Sequence, residues 1–190
     1  MSRTESKIKT IIIEGPSGVG KDAIIAQLIA QHPNVFQKIT SYTTRAMRVG
    51  EIDGIAYCFT DRQTFLSKLK SGDIFEHTER HGEYRGMSKA LIDNIINNGK
   101  IALKDADIIG VNALKKVYPN KVLSIFVTAK REFIEQRLIN RGDAQPDREK
   151  RLADYDNAHK FSHEYDFIVE NNGTLDEAVA KVYSLIKRHL

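Results

Sequence analysis

The chain has 190 residues, 41% of them apolar, 28% charged, with a formal net charge of +4. That composition supports one compact domain with a real core and excludes a long disordered polymer. It also contains a single cysteine, Cys58, which rules out an internal disulfide framework and suits a reducing compartment.

The start, Met1 to Lys7, is polar and charged, with no apolar signal region after it. No apolar run approaches the roughly 20 residues a membrane helix needs. Residues 8–13 form a β-branched run that reads as a buried strand. A glycine-rich turn follows, then a helix over about 21–31, stopped by Pro33. A second strand is expected near 37–42. Residues 43–55 carry Arg, Gly and Asp without periodicity and read as a loop. Thr60-Asp61-Arg62-Gln63 has capping-box spacing and opens a helix ending near Gly72. Ser88 is expected to cap the next helix, closed by Gly99.

Further on, strand-like runs at 100–103, 122–127 and 167–169 alternate with helical stretches at 108–117, 130–140 and 148–161. Thr174-Leu175-Asp176-Glu177 is a capping box for a last helix. This alternation predicts an α/β fold with a parallel sheet core flanked by helices. Residues 36–87 break the rhythm and are expected to form an inserted lobe. The core is then 8–35, 88–140 and 152–190. Residues 141–151, with Gly142 and Pro146, read as a mobile lid.

Gly15-Pro16-Ser17-Gly18-Val19-Gly20-Lys21 has the spacing of a phosphate-binding P-loop. Glycines let successive backbone N–H groups turn inward around a phosphate. The helix that follows adds its positive end, and Lys21 reaches the outer phosphates. A strand before and a helix after set it apart from an ordinary glycine turn. The next residue is Asp22, where a Ser or Thr hydroxyl would hold Mg²⁺; Asp22 is therefore the candidate metal ligand.

Ser41, Thr43, Thr44, Arg45, Arg48 and Tyr57 form a second group suited to a phosphate monoester, with forked guanidinium donors and hydroxyls. Here the chain resembles the guanylate kinases from Ile11 to about Ile186, through the G-P-S-G start, S-x-T-T-R and R-x-G-E-x-D-G. The resemblance implies a P-loop NTPase fold with an inserted nucleoside-monophosphate-binding lobe, ATP and Mg²⁺ as cofactors, and phosphoryl transfer to GMP or dGMP. The expected partners are nucleotides: the lone cysteine suits the cytoplasm, the short apolar runs leave no membrane partner, the basic residues have small phosphates to hold and need no nucleic acid, and a monomer is expected.

By the same resemblance, Ser41, Arg45, Arg48 and Tyr57 hold the acceptor phosphate, with Tyr84 and Arg85 beside them. Glu76 reads guanine, and Asp105 lies near the base. Arg137, Arg141 and Arg151 close over the transferring phosphate. A carboxylate at Glu76 accepts from guanine N1–H and the N2 amino group, whereas adenine leaves it unpaired. Sites built that way discriminate by about 10⁴–10⁵.

Three positions depart from the family: Asp22, Arg85 where a tyrosine stands, and Met87 where a hydroxyl would donate to guanine O6. Ile109 also replaces a glutamine. These departures keep two alternatives open: a related kinase of a phosphosugar such as ribose 1,5-bisphosphate, and a catalytically silent binding domain.

Overall fold

A computed structural model describes residues 8–190; the polar start at residues 1–7 lies outside the described residues. The first strand, β1 (Thr10–Glu14), leads into α1 (Lys21–Gln31). Then come β2 (Phe36–Lys38), β3 (Tyr42–Thr43) and β4 (Cys58–Phe59). Helix α2 (Arg62–Lys70) precedes β5 (Ile74–Arg80) and β6 (Glu83–Ser88). The chain continues with α3 (Lys89–Asn97), β7 (Ile101–Lys104), α4 (Ile108–Val117) and β8 (Val122–Thr128). It ends with α5 (Arg131–Asn140), α6 (Gln145–His159), β9 (Phe167–Glu170) and α7 (Leu175–Lys187).

Five strands form one sheet in the order β2-β7-β1-β8-β9, all neighbours parallel. A parallel sheet needs cover on both faces, and this one has it. Ile11 and Ile13 of β1 pack with Ile24 and Leu28 of α1, Ile134 and Leu138 of α5, and Val182 and Ile186 of α7. Ile12, one residue out of phase, packs on the other face with Ile92 of α3 and Val111 and Leu114 of α4. The two-residue period of a strand thus sorts one apolar run into two cores.

The second sheet has four strands in the order β4-β3-β6-β5, and one side of it is the antiparallel hairpin β5–β6. The hairpin turns at His81 and Gly82, both with positive φ, as a right-twisted two-residue turn requires. Phe65 of α2, Ile74 and Tyr84 fill a small core beneath it. Gly86 permits that packing. A Cβ there would stand 2.7 Å from Ile74 Cγ2 and 2.8 Å from the Glu76 carbonyl oxygen. Gly86→Ala is therefore expected to cost about 1–3 kcal/mol as overpacking, read as a lower urea midpoint with unchanged slope. An unchanged midpoint would show that the hairpin absorbs the methyl freely.

The structure corrects four local expectations. The segment 37–42 is two strands in different sheets. β2 belongs to the parallel sheet, so residues 36–38 fall outside the inserted sheet. The start of α2 is capped by Asp61, whose Oδ1 accepts from the Thr64 N–H at 2.8 Å. A carboxylate one position later displaces the Thr60 hydroxyl as cap because it is the stronger acceptor. Residues 145–150 are helical, since Pro146 presets φ for a first turn and α6 begins there. The hairpin carries no strand expectation at all. By contrast Ser88 caps α3, and Thr174 with Glu177 forms the reciprocal capping box of α7.

Candidate active site

β1 and β7 are parallel neighbours, so the turns leaving their carboxyl ends lie side by side. That crevice is where open α/β sheets take ligands. The turn after β1 is the Gly15–Lys21 loop, and the turn after β7 carries Asp105, Ala106 and Asp107.

The loop is built as a cradle. Gly18 and Gly20 have φ near +90°, a region costly for side chains. A Cβ on Gly15 would stand 2.1 Å from the Val127 carbonyl oxygen. Lys21 folds back over the loop and donates from Nζ to the Gly15 carbonyl at 3.1 Å. A cavity of about 340 Å³ sits here, lined by Ser17, Gly18, Gly20, Lys21, Asp22, Arg137, Arg141 and Arg151. Pro16 and Val19 complete the loop, the Pro16 carbonyl accepting from the Val19 N–H at 3.2 Å.

The three arginines are held differently. Arg137 donates to the carbonyls of Asn171 (2.9 Å), Gly173 (3.0 Å) and Val19 (3.3 Å). It therefore braces the loop against the β9–α7 turn, an occupation the sequence reading did not foresee. Arg141 and Arg151 instead both meet the carboxylate of Asp143, Arg141 Nε at 2.7 Å and Arg151 Nε at 3.2 Å. Arg151 also donates to Ser17 Oγ. These side-chain partners hold two guanidiniums at the mouth of the cradle in an arrangement that a phosphate could replace.

A second cavity, of about 250 Å³, lies beside the loop. Ser41, Tyr57, Glu76, Arg85, Met87, Lys104, Asp105 and Asp107 are among its walls. The hairpin register explains the set. Glu76 is opposite Met87 and Thr78 opposite Arg85, so these four side chains share one face. The register shift between Ile74 and Glu76 is a bulge that re-aims the strand at this point.

Tyr84 falls on the opposite face. It stacks on Phe65 with ring centroids 5.2 Å apart, and its hydroxyl accepts from Arg62 at 2.9 Å. Tyr84, expected beside the acceptor, thus faces away from this cavity, and period-two alternation puts Arg85 on its wall instead. Met87 is 2% exposed and packs in the core beside Ile12 and Ile39. Ile109 is 69% exposed and faces solvent.

At the outer end, Arg45 is only 7% exposed. Its guanidinium donates to the Ala46 carbonyl at 2.6 Å and to Glu51 at 2.7 Å. Its ring-side faces meet Tyr57 and Phe59, at 5.5 and 5.6 Å. Arg85 lies over the same Tyr57 ring at 5.1 Å. The Arg45 Nε is buried with no hydrogen-bond partner among the described residues. A buried unpaired donor is costly, so this atom points to an acceptor that arrives from outside. Arg48 lines a basic hollow with Arg45, Arg80 and Arg85.

Charge links the two cavities. Glu14 ends β1 between them and faces Lys21, Asp105 and Asp107. Burial pushes its carboxyl up to about 7, against the pull of Lys21. Burial, then the charge of Asp107, raises Glu76 above the usual carboxylate range. Sequence reasoning missed Glu14, Lys104, Asp107 and Asp143. Asp107 carries a local signal, for it N-caps α4 by accepting from the Gly110 N–H at 3.0 Å. The other three owe their place to packing.

Among the described residues no helix is long and apolar enough to cross a membrane. No cluster of three metal-ligating side chains is present among them either. Mg²⁺ does not require one, since it is commonly held by one or two carboxylates together with substrate phosphates. Asp22 is exposed beside Lys21 on the wall of the cradle.

Comparison with known proteins agrees with this geometry. The sequence is 33% identical over 186 residues to a guanylate kinase of Helicobacter hepaticus, covering 96% of this chain and 92% of that one. It is 31% identical over 179 residues to one from Clostridium perfringens, covering 93% and 81%. The crystal structure of guanylate kinase from Anaplasma phagocytophilum superposes with a TM-score of 0.69 at 24% identity, over 97% of this chain and 87% of that one, which supports the fold. The sequence model described as guanylate kinase matches residues 7–189, nearly the whole length, and the chain belongs to that family.

Proposed function

We propose that the protein transfers the terminal phosphate of ATP to GMP, and to dGMP, by in-line displacement. The observation that carries this is two cavities at adjacent carboxyl strand ends, one lined by Lys21 and three arginines, the other by Arg85, Lys104 and the partly buried carboxylate of Glu76. The loop Gly15–Lys21 cradles the donor phosphates with backbone N–H groups, and Lys21 Nζ leaves the Gly15 carbonyl for their oxygens. Arg45 with its unpaired Nε, Arg48, Ser41 and Tyr57 hold the acceptor phosphate, and Arg85 adds a charge beside it. Glu76 accepts from N1–H and N2 of guanine, with Asp105 near the base.

Phosphoryl transfer needs little covalent help, so positioning and charge do most of the work. Arg141 and Arg151 exchange Asp143 for the transferring phosphate, while Arg137 holds the loop in shape. Mg²⁺, when bound at Asp22, supplies further neutralisation of the phosphate charge. One chain supplies both cavities, which fits a monomer. A lone cysteine fits the cytoplasm, where both nucleotides are found.

A coupled assay with ATP, Mg²⁺ and a panel of monophosphates tests the reading. GMP and dGMP should give the highest kcat/KM, with AMP, CMP, UMP and ribose 1,5-bisphosphate far below. Absence of GMP and dGMP turnover above background would end it.

A further inference from the structure

Guanine presents three groups in a row: the O6 acceptor, then the N1–H and N2 donors. Glu76 takes the two donors, which leaves O6 with no partner. Met87 stands directly across the hairpin from Glu76, but a thioether cannot donate a hydrogen bond. An O6 left unpaired in a closed pocket would weaken guanine binding, so the cavity should contain another donor.

Lys104 meets the requirement. It is the last residue of β7, and strand alternation puts it on the same face as Ala102. Ala102 packs in the core that holds Ile12, Ile39 and Met87. Lys104 therefore emerges at the carboxyl end of the sheet on the Met87 side, and it lines the cavity that Glu76 lines. Among the described residues its ammonium makes no hydrogen bond or ion pair. Asp105, Lys38, Glu76 and Arg85 are the charges that face it, and burial holds its pKa below the ordinary lysine value. A partly buried ammonium without a direct partner is stabilised by any acceptor a ligand brings. The acceptor phosphate already has Arg45, Arg48 and Tyr57 at the far end.

We infer that Lys104 donates to guanine O6 and is the specificity-determining residue that replaces the missing hydroxyl at position 87. The inference rests on GMP being the acceptor. It adds a penalty for adenine that Glu76 alone does not impose. Adenine carries an N6 amino donor where guanine carries O6, and an ammonium opposite an amino group repels it.

The test compares Lys104→Met and Lys104→Gln with the unaltered enzyme on three acceptors: GMP, IMP and 6-thio-GMP. IMP keeps O6 and lacks N2. 6-thio-GMP keeps both donors and replaces O6 by a weakly accepting sulfur. Lys104→Met should lower kcat/KM for GMP and IMP by about 10- to 100-fold, the worth of one charge-assisted hydrogen bond. It should lower 6-thio-GMP by less than about threefold, because sulfur accepts weakly. Lys104→Gln keeps an N–H donor and should stay within about tenfold of the parent on GMP. If Lys104→Met does not fold, the ratio of GMP to 6-thio-GMP for Lys104→Gln decides, and it should fall. Equal losses on GMP and 6-thio-GMP would overturn the inference and leave GMP kinase activity standing. Failure of the unaltered enzyme to use GMP would overturn both.

Discussion

Lys21→Ala is expected to lower kcat by about 10²–10³ or more while the protein stays folded. The physical reason is preorganisation. Lys21 Nζ already lies across the loop, on the Gly15 carbonyl at 3.1 Å, so it has only to exchange that carbonyl for a phosphate oxygen to meet the developing charge. Removing one such positioned donor typically costs about 10²–10³ in rate. The loop glycines, the Gly15–Val127 approach and the brace from Arg137 do not involve the Lys21 side chain, so circular dichroism and the melting temperature should change little. Single-turnover rates at saturating ATP and GMP are the measurement. Turnover within a few-fold of the parent would mean that the phosphates sit elsewhere.

Glu76→Gln has the second large effect, and it falls on selectivity. The carboxylate accepts two hydrogen bonds from guanine, each worth about 1.5–3 kcal/mol when the acceptor is charged. The amide keeps one acceptor and turns a donor toward guanine N1–H or N2. We expect kcat/KM for GMP to fall by about 10²–10⁴ and that for AMP to move by less than about tenfold. A pH profile gives an independent reading. Guanine recognition needs the ionised form, and burial followed by Asp107 holds the Glu76 carboxyl above its ordinary value. GMP affinity should therefore decline as pH falls through that raised value, earlier than an exposed glutamate would allow. In Glu76→Gln this acid limb should vanish. GMP and AMP falling in parallel would show that residue 76 does not touch the base.

Some elements were legible because their causes are local. The P-loop is a run of seven residues whose glycines set the backbone. Helix α1 was expected over 21–31, the range observed, because the loop fixes its start and Pro33 blocks its continuation. Helix α4 was expected over 108–117, also as observed. The Ser88 cap and the Thr174 capping box depend on atoms three residues apart.

Other elements were hidden because distant residues decide them. Nothing within residues 83–88 says whether Tyr84 or Arg85 faces the cavity that Glu76 lines. Cross-strand register with β5 settles it, helped by the bulge before Glu76. Arg137 is a strong candidate in any reading of charge, yet its donors go to carbonyls of residues 171 and 173, which return to it only through β9. Asp143 looked like a residue in a loop, but it pairs two guanidiniums ten residues apart at the mouth of the cradle.

Spacing along the chain was enough to mark the glycine loop and the group of Arg45, Arg48 and Tyr57, because a short glycine turn and nearby arginines are local features. The walls of the second cavity depend instead on packing between distant segments. The cavity takes Glu76 from a hairpin, Lys104 and Asp107 from the end of a parallel strand, and Tyr57 from the loop before β4. Parallel pairing needs long crossovers and hairpin pairing needs a register. Both are set by packing, so residues far apart along the chain meet at one site that no local pattern announces.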